Sequence, residues 1–450
     1  MARIRFPQGF HWGTATAAYQ IEGAVTSDGR GESIWDRFAH TPGRIATGDT
    51  GDVACNSYHR FADDLALMRE MNQTSYRFSI AWPRIQPSGR GGVNAKGLDY
   101  YGRMVDALLA AGIRPVPTLY HWDLPQALED AGGWPARDTA GRFADYTELM
   151  VRALGDRVED WILLNEPGIF TALGYWMGLH APGIRDADAF FRAVHVVNLA
   201  QGASAAAARA VRANLRIAVA YNFSPCEPAR DTQADQDAAE RFHAYQNLLF
   251  LEPALRGRYP GRFAEEAVQQ RMGVRDGDLE RMRAPLDWIG VNLYMRTCVR
   301  HLDDDPLGLN ARPEGMGGQQ GPRTDFGWEV WPASLYDMCM RLTRDYDRPV
   351  LEVTENGCSY GDGPGADGVV RDGRRTDYYH GYLEALAKAI EHGADVRGYH
   401  AWTLLDNFEW AEGFRQRFGL AHVDFASGTR TLKESGRWYG QVAAENGFET

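Results

Sequence analysis

Along this 450-residue chain, short apolar runs alternate with longer stretches whose apolar residues recur every three or four positions. The short runs read as buried strands and the periodic stretches as amphipathic helices packed against them. The first run, Phe10–Ala17, leads into a Gly- and Asp-rich loop that reaches about Asp52. Tyr58, Phe61, Leu65 and Met68 then share one helical stripe, and Thr74–Ile80 reads as the next strand. A second stripe, Leu98, Tyr101, Val105 and Leu108, ends where Gly112 is placed to cap it. Ile113–Tyr120 takes the third strand position by rhythm, although Pro115 and Pro117 suit a strand's entrance better than its centre. A helix over about Ala140–Leu154, a strand Asp160–Asn165, an Ala-rich helix over about Phe190–Asn214 and a strand Arg216–Asn222 continue the alternation. A mainly helical insertion, Asp231–Leu279, precedes strand Asp287–Tyr294. The Gly-, Asp- and Pro-rich stretch Asp303–Gly327 reads as a long loop on the rim of a site. The rhythm resumes at Ala333. Strand Pro349–Thr354, a helix striped by Tyr379, Leu383, Leu386 and Ile390 and ended by Gly393, and strand Val396–Trp402 complete it.

Eight strand–helix repeats with no sharp break in composition predict an α/β fold. It is a closed (β/α)8 TIM barrel with elaborated βα loops, and the whole chain, 1–450, forms one domain. An open doubly wound sheet is the alternative, but no Gly-x-Gly-x-x-Gly follows the first strand.

Bulk properties narrow the function more than the fold. A net charge of −12 argues against a nucleic-acid partner, which would require a basic surface. No run of about 18 apolar residues predicts a membrane span, and the N-terminal Met-Ala-Arg-Ile-Arg-Phe-Pro lacks the apolar core of a signal peptide. Five scattered cysteines, Cys55, Cys226, Cys298, Cys339 and Cys358, form no Cys-x-x-Cys pair, so disulfides and a structural zinc are not expected. These features point to the cytoplasm. Thirteen Trp in an acidic chain suit a neutral carbohydrate ligand, whose C–H faces stack on aromatic rings, although most of the thirteen fit a large core.

Two stretches carry the chemistry. In Val350-Leu-Glu-Val-Thr-Glu-Asn-Gly357 a buried strand ends in a tight turn that holds out Glu355. Glu159-Asp-Trp-Ile-Leu-Leu-Asn-Glu-Pro167 follows the same pattern and holds out Glu166. In a barrel the C-terminal ends of all strands converge on one mouth. The tips read as Gln20, Arg77, His121, Asn165, Glu166, Tyr294, Glu355 and Trp402, with Glu409 and Trp410 just beyond the last strand. Two carboxyls among amides, imidazole and indoles are the parts of a glycosidase: one protonates the leaving oxygen, the other attacks the sugar. His121 with Asp123 lacks a third ligand at suitable spacing, so no metal is expected, and no cofactor.

The chain resembles the family 1 glycoside hydrolases of the β-glucosidase type over essentially its whole length. The resemblance rests on Phe10-His-Trp-Gly-Thr-Ala-Thr-Ala-Ala-Tyr-Gln-Ile-Glu-Gly23, Tyr76-Arg-Phe-Ser-Ile-Ala-Trp-Pro-Arg-Ile85, Leu119-Tyr-His-Trp-Asp-Leu-Pro125, Asn165-Glu-Pro167, Thr354-Glu-Asn-Gly357 and Trp402-Thr-Leu-Leu-Asp-Asn-Phe-Glu-Trp410, in that order. It implies a retaining exo-β-glycosidase with Glu166 as acid/base and Glu355 as nucleophile. It further implies that Gln20, His121, Asn165, Tyr294, Trp402, Glu409, Trp410 and Phe418 hold the sugar, that Trp328 lines the aglycone side, and that Arg77 sits beside the nucleophile. A cis bond at Trp402–Thr403 belongs to the same pattern. Arg77 and Tyr294 are expected to keep the pKa of Glu355 low, and the charge of Glu355 to raise that of Glu166.

Expected partners are small β-glycosides and short oligosaccharides, with homo-oligomerisation left open. A 6-phospho-β-glycosidase is disfavoured by the intact Glu409-Trp410, a silent sugar-binding barrel by the presence of both glutamates. A transglycosylase differs in its aglycone loops and stays open.

Overall fold

The structure, a computed structural model, describes residues 3–318 and 320–449. Eight parallel strands close into a barrel: His11–Ala15, Ser75–Ser79, Arg114–Tyr120, Asp160–Asn165, Arg216–Asn222, Ile289–Asn292, Val350–Asn356 and Asp395–Trp402. Each strand pairs with the next in sequence, and the eighth returns to the first with Trp402 opposite Ala15. The strands are buried on both faces because both are covered. One face meets the helices, which include Ser57–Glu70, Ala95–Ala110, Asp138–Leu154, Ala187–Val211, Ala333–Asp345, Gly373–Glu391 and Glu434–Glu445. The other face fills the barrel interior, where Val116, Ile162, Ala218 and Ala220 pack with Trp288.

The prolines of the third strand do sit in a strand with neighbours on both sides. The second strand is registered against it over five pairs, from Ser75↔Arg114 to Ser79↔Thr118. The fourth-strand side has two, Thr118↔Ile162 and Tyr120↔Leu164. The donors missing at Pro115 and Pro117 fall on that thinner side, because Arg114 bonds the second strand through its N–H and successive residues alternate sides.

One expectation holds, the mainly helical insertion over Asp231–Leu279, and one needs correction. The insertion after the fifth strand is broken into short helices, Gln233–His243, Leu251–Arg256, Glu266–Met272 and Asp278–Arg281, with a π-helical turn at Ala244–Leu248. The stretch 303–327 is not all loop. Ala311–Pro313 pairs with Thr297–His301, which pairs with Cys226–Pro228, and this small sheet stands on the barrel rim. Its strands are too short and polar to register as a periodic pattern.

Polar groups close the interior below the site. Arg114 forms a two-pronged pair with fully buried Glu352, at 2.6 and 3.1 Å. Glu352→Ala would leave the Arg114 guanidinium opposed only by Asp160, at 3.7 Å, so a loss of about 1–3 kcal/mol in unfolding free energy is expected. Chemical denaturation of the two proteins checks it, and a loss below about 1 kcal/mol would show that the pair does not brace the barrel.

Candidate active site

The site is built from side chains that cannot leave the strand tips. Glu166 follows the fourth strand at a φ of 48°, in the left-handed region, and begins the helix Pro167–Thr171. Trp122 and Trp410, at φ of 79° and 49°, share that uncommon conformation. The ladder also slips near both carboxylates: register shifts lie between Ile162 and Asn165 and between Val353 and Glu355. Such bulges re-aim side chains at a strand's end. Here they turn Glu166 and Glu355 into one cavity of about 350 Å³.

A continuous hydrogen-bond chain joins the two acids. Arg77 donates to Glu355 Oε1 at 2.6 Å and to Asn165 Oδ1 at 2.6 Å. Asn292 donates from Nδ2 to Asn165 Oδ1 at 2.9 Å and to Glu166 Oε1 at 2.8 Å. Tyr294 donates to Glu355 Oε2 at 2.7 Å, and Asn222 to Glu166 at 3.3 Å. The two acids therefore differ in one decisive respect: only Glu355 touches a cation.

Their proton affinities follow. Burial, then the charge of Glu355, pushes Glu166 up to about 8, against the pull of Asn292, Asn222 and Arg77. Glu355 is also raised, which corrects the expectation of a low value. Burial outweighs the ion pair with Arg77 and the hydrogen bond from Tyr294. The guanidinium bound to it nevertheless favours the ionised form of Glu355 by direct contact, which Glu166 lacks. A third buried acid, Glu409, is pushed up to about 8 by burial and by Glu355.

Donor directions can be read off this network. Asn165 uses Oδ1 to accept two hydrogen bonds, so its Nδ2 faces His121 Nε2 at 3.0 Å. The ring hydrogen of His121 then lies on Nδ1, which has no partner among the described residues. Burial and Arg77 hold this imidazole well below its ordinary pKa, so it is neutral. Gln20 donates from Nε2 to Asn407 Oδ1 at 3.1 Å and to the Phe408 carbonyl at 2.9 Å, leaving Oε1 buried and unpartnered among the described residues.

The aromatic residues form the walls. Trp410 lies 4.6 Å from Trp122 and 5.8 Å from His121, centroid to centroid, and His121 stacks on Trp402 at 5.8 Å. Trp328 packs against Tyr294 at 5.1 Å and Phe418 at 5.6 Å. The Trp402–Thr403 peptide is cis. Glu166, Glu355, His121, Tyr294, Trp328, Trp402, Glu409, Trp410 and Phe418 all line the cavity. Asn165 and Arg77 stand behind that lining and position it, and Gln20 lies at its edge, donating to Glu409 at 3.3 Å. Glu22, which the sequence places near the first strand's end, is taken up by Arg84 and Tyr101.

Sequence reasoning missed Asn292, Asn222, Trp122 and Asn407. Asn222 ends a strand whose boundary was read correctly, so a full reading of strand tips would have included it. Asn292 was hidden because its strand stops there and not at Tyr294. Among the described residues no group of three His, Cys, Asp or Glu side chains is placed to hold a metal ion.

Two acids facing one cavity of hydroxyl partners and indoles, only one of them paired with a cation, can carry out acid-assisted displacement at an acetal. Comparison with known proteins agrees. The profile described as Glycosyl hydrolase family 1 matches residues 2–448. Beta-glucosidase A of Acetivibrio thermocellus is 43% identical over 454 residues, covering 100% of both chains. A bifunctional beta-D-glucosidase/beta-D-fucosidase of Bifidobacterium breve is 44% identical over 460 residues, covering 98% of each. The solved family 1 β-glucosidase of Thermotoga maritima superposes with a TM-score of 0.96 at 40% identity, over 100% of both chains. The same enzyme in complex with deoxynojirimycin superposes at 0.92, with 41% identity over 99% of this chain and 100% of that one. The chain belongs to glycosyl hydrolase family 1.

Proposed function

We propose that this chain, as one catalytic barrel, is a retaining exo-β-glucosidase that also accepts β-fucosides or β-galactosides. Glu355 is the nucleophile and Glu166 the acid/base. The observation that carries the assignment is the asymmetric hydrogen-bond chain: Arg77 favours the anion on Glu355, while Glu166, without a cation, holds its proton to about 8. The anion of Glu355 attacks the anomeric carbon as Glu166 gives its proton to the glycosidic oxygen. The aglycone leaves as an alcohol and a glycosyl ester remains on Glu355. Esterification removes the charge that raised Glu166, so Glu166, now ionised, takes a proton from water. The water oxygen then displaces the ester, Glu355 regains its negative charge, and the sugar leaves with its configuration retained.

The sugar is gripped by groups with spare capacity: the Nδ1 hydrogen of His121, Oε1 of Gln20 and the Glu409 carboxyl, over the Trp410 face. Among the described residues the cavity lining contains four glutamates and no Lys or Arg, which disfavours a phosphorylated sugar. The relatives named above support glucosides and fucosides as substrates. Short β-linked oligosaccharides fall within the same reading. The free cysteines fit a reducing compartment, and action in the cytoplasm is part of the proposal.

Glu166→Gln is expected to lower turnover of alkyl glucosides by about 10²–10⁴-fold while sparing the first step with activated aryl glucosides. Added azide should then release a β-glycosyl azide, detectable by NMR. Glu355→Gln should abolish turnover, and unchanged activity in that variant would refute the assignment.

The alkaline limb of kcat/KM should report Glu166 in the free enzyme and fall near pH 8. Asn222 favours the ionised form of Glu166, so Asn222→Ala should move that limb upward, by up to about one pH unit. A downward shift would show that a different group sets the limb.

A further inference from the structure

A second cavity, of about 450 Å³, adjoins the catalytic one and takes no part in the chemistry above. Ile169, Leu173, Asn222 and Gln246 line both, so the two share a wall. Its interior is mainly apolar: Trp176, Phe190, Phe242, Tyr245, Phe250 and Leu309 face into it. Two π-helical turns, Ala172–Trp176 and Ala244–Leu248, lie in different parts of the chain and both contribute to this lining. Such turns are rare and concentrate at functional sites. Met177 and Leu302 also line it and are each 37% exposed, so the cavity reaches solvent through an apolar rim.

Apart from the Tyr245 hydroxyl and the exposed Arg312 guanidinium, the polar groups on its walls are largely engaged already. Asn247 donates to the Ser224 carbonyl at 2.8 Å and to His243 at 2.8 Å. Asp305 accepts from the backbone N–H of Leu307 at 2.9 Å and from that of Asn310. A second sugar would bring hydroxyls that find few partners here, at a cost in desolvation. A hydrocarbon needs none, and the volume lies in the range of small-molecule sites.

The shared wall fixes what reaches it. Gln246 donates to Asn222 Oδ1 at 2.7 Å, and Asn222 donates to Glu166 at 3.3 Å. If Glu166 protonates the leaving oxygen, as proposed above, the aglycone begins at this wall. We infer that the side cavity receives the far, apolar end of an extended aglycone, making β-glucosides of long-chain alcohols preferred substrates. This site is distinct from the wall carrying Trp328, which does not line it.

The test is a series of methyl, n-butyl and n-octyl β-D-glucosides, below micelle-forming concentrations, with the wild type and a Met177→Trp/Leu302→Trp double variant. Each methylene that enters the cavity should raise kcat/KM about three- to fourfold, giving at least about thirtyfold from butyl to octyl. The filled variant should keep methyl glucoside hydrolysis within about twofold of wild type and lose most of the chain-length gain. A flat series in a wild type that hydrolyses methyl glucoside normally overturns the inference. So does a gain that survives filling, which would place the tail elsewhere. If no β-glucoside is cleaved, the catalytic reading fails, and calorimetric binding of n-octyl against methyl β-D-thioglucoside still decides the cavity. Equal affinities there would sink it. Tighter octyl binding in the wild type alone would sustain it.

Discussion

The Arg77 guanidinium is the constraint on which the rest of the mouth depends. It leaves the second strand, only 1% exposed, and reaches three others. It donates to Thr118 on the third, to Asn165 on the fourth, and to both the Thr354 carbonyl and Glu355 on the seventh. A cation this deep is tolerated only where its donors are filled and a charge opposes it. One side chain thereby fixes the spacing of the tips that carry both acids, the amide between them and, through Asn165, the imidazole. Barrel closure makes this possible, because strands far apart in sequence become neighbours around a narrow interior.

Much of this arrangement was legible in the letters. Parallel strands covered on both faces appear as unbroken apolar runs, so the eight repeats could be located and their tips read. The reading was weaker where an effect depends on distance through space. Asn292 bridges the two acids, but it lay inside a run that looked two residues longer than its strand. The rim sheet of 226–228, 297–301 and 311–313 consists of strands too brief to show a period. The pKa of Glu355 illustrates the same gap. Arg77 and Tyr294 could be identified as neighbours that lower it, whereas the completeness of burial that raises it emerges only from the packed fold.

The surroundings of Glu166 show how packing and chemistry are joined. Its left-handed backbone, the bulge before it and the two amides that reach it all follow from the way the fourth, fifth and sixth strands end. The same loops carry both π-helical turns and the apolar hollow next to the acid. If Glu166 is the acid/base, as proposed, the region that sets its proton affinity is also the region that meets the departing group. Variation in these loops would alter leaving-group preference without disturbing Arg77 or the seventh strand.

The fixed orientation of the Asn165 amide has one more consequence. Because its oxygen is claimed by Arg77 and Asn292, the imidazole beside it can only give a hydrogen outward, while the Gln20 oxygen can only receive one. A hydroxyl bridging these two ends would receive a hydrogen from the His121 side and pass its own toward Gln20. The sense of that one-way relay would be set by a guanidinium buried beneath it, which is not part of the cavity lining.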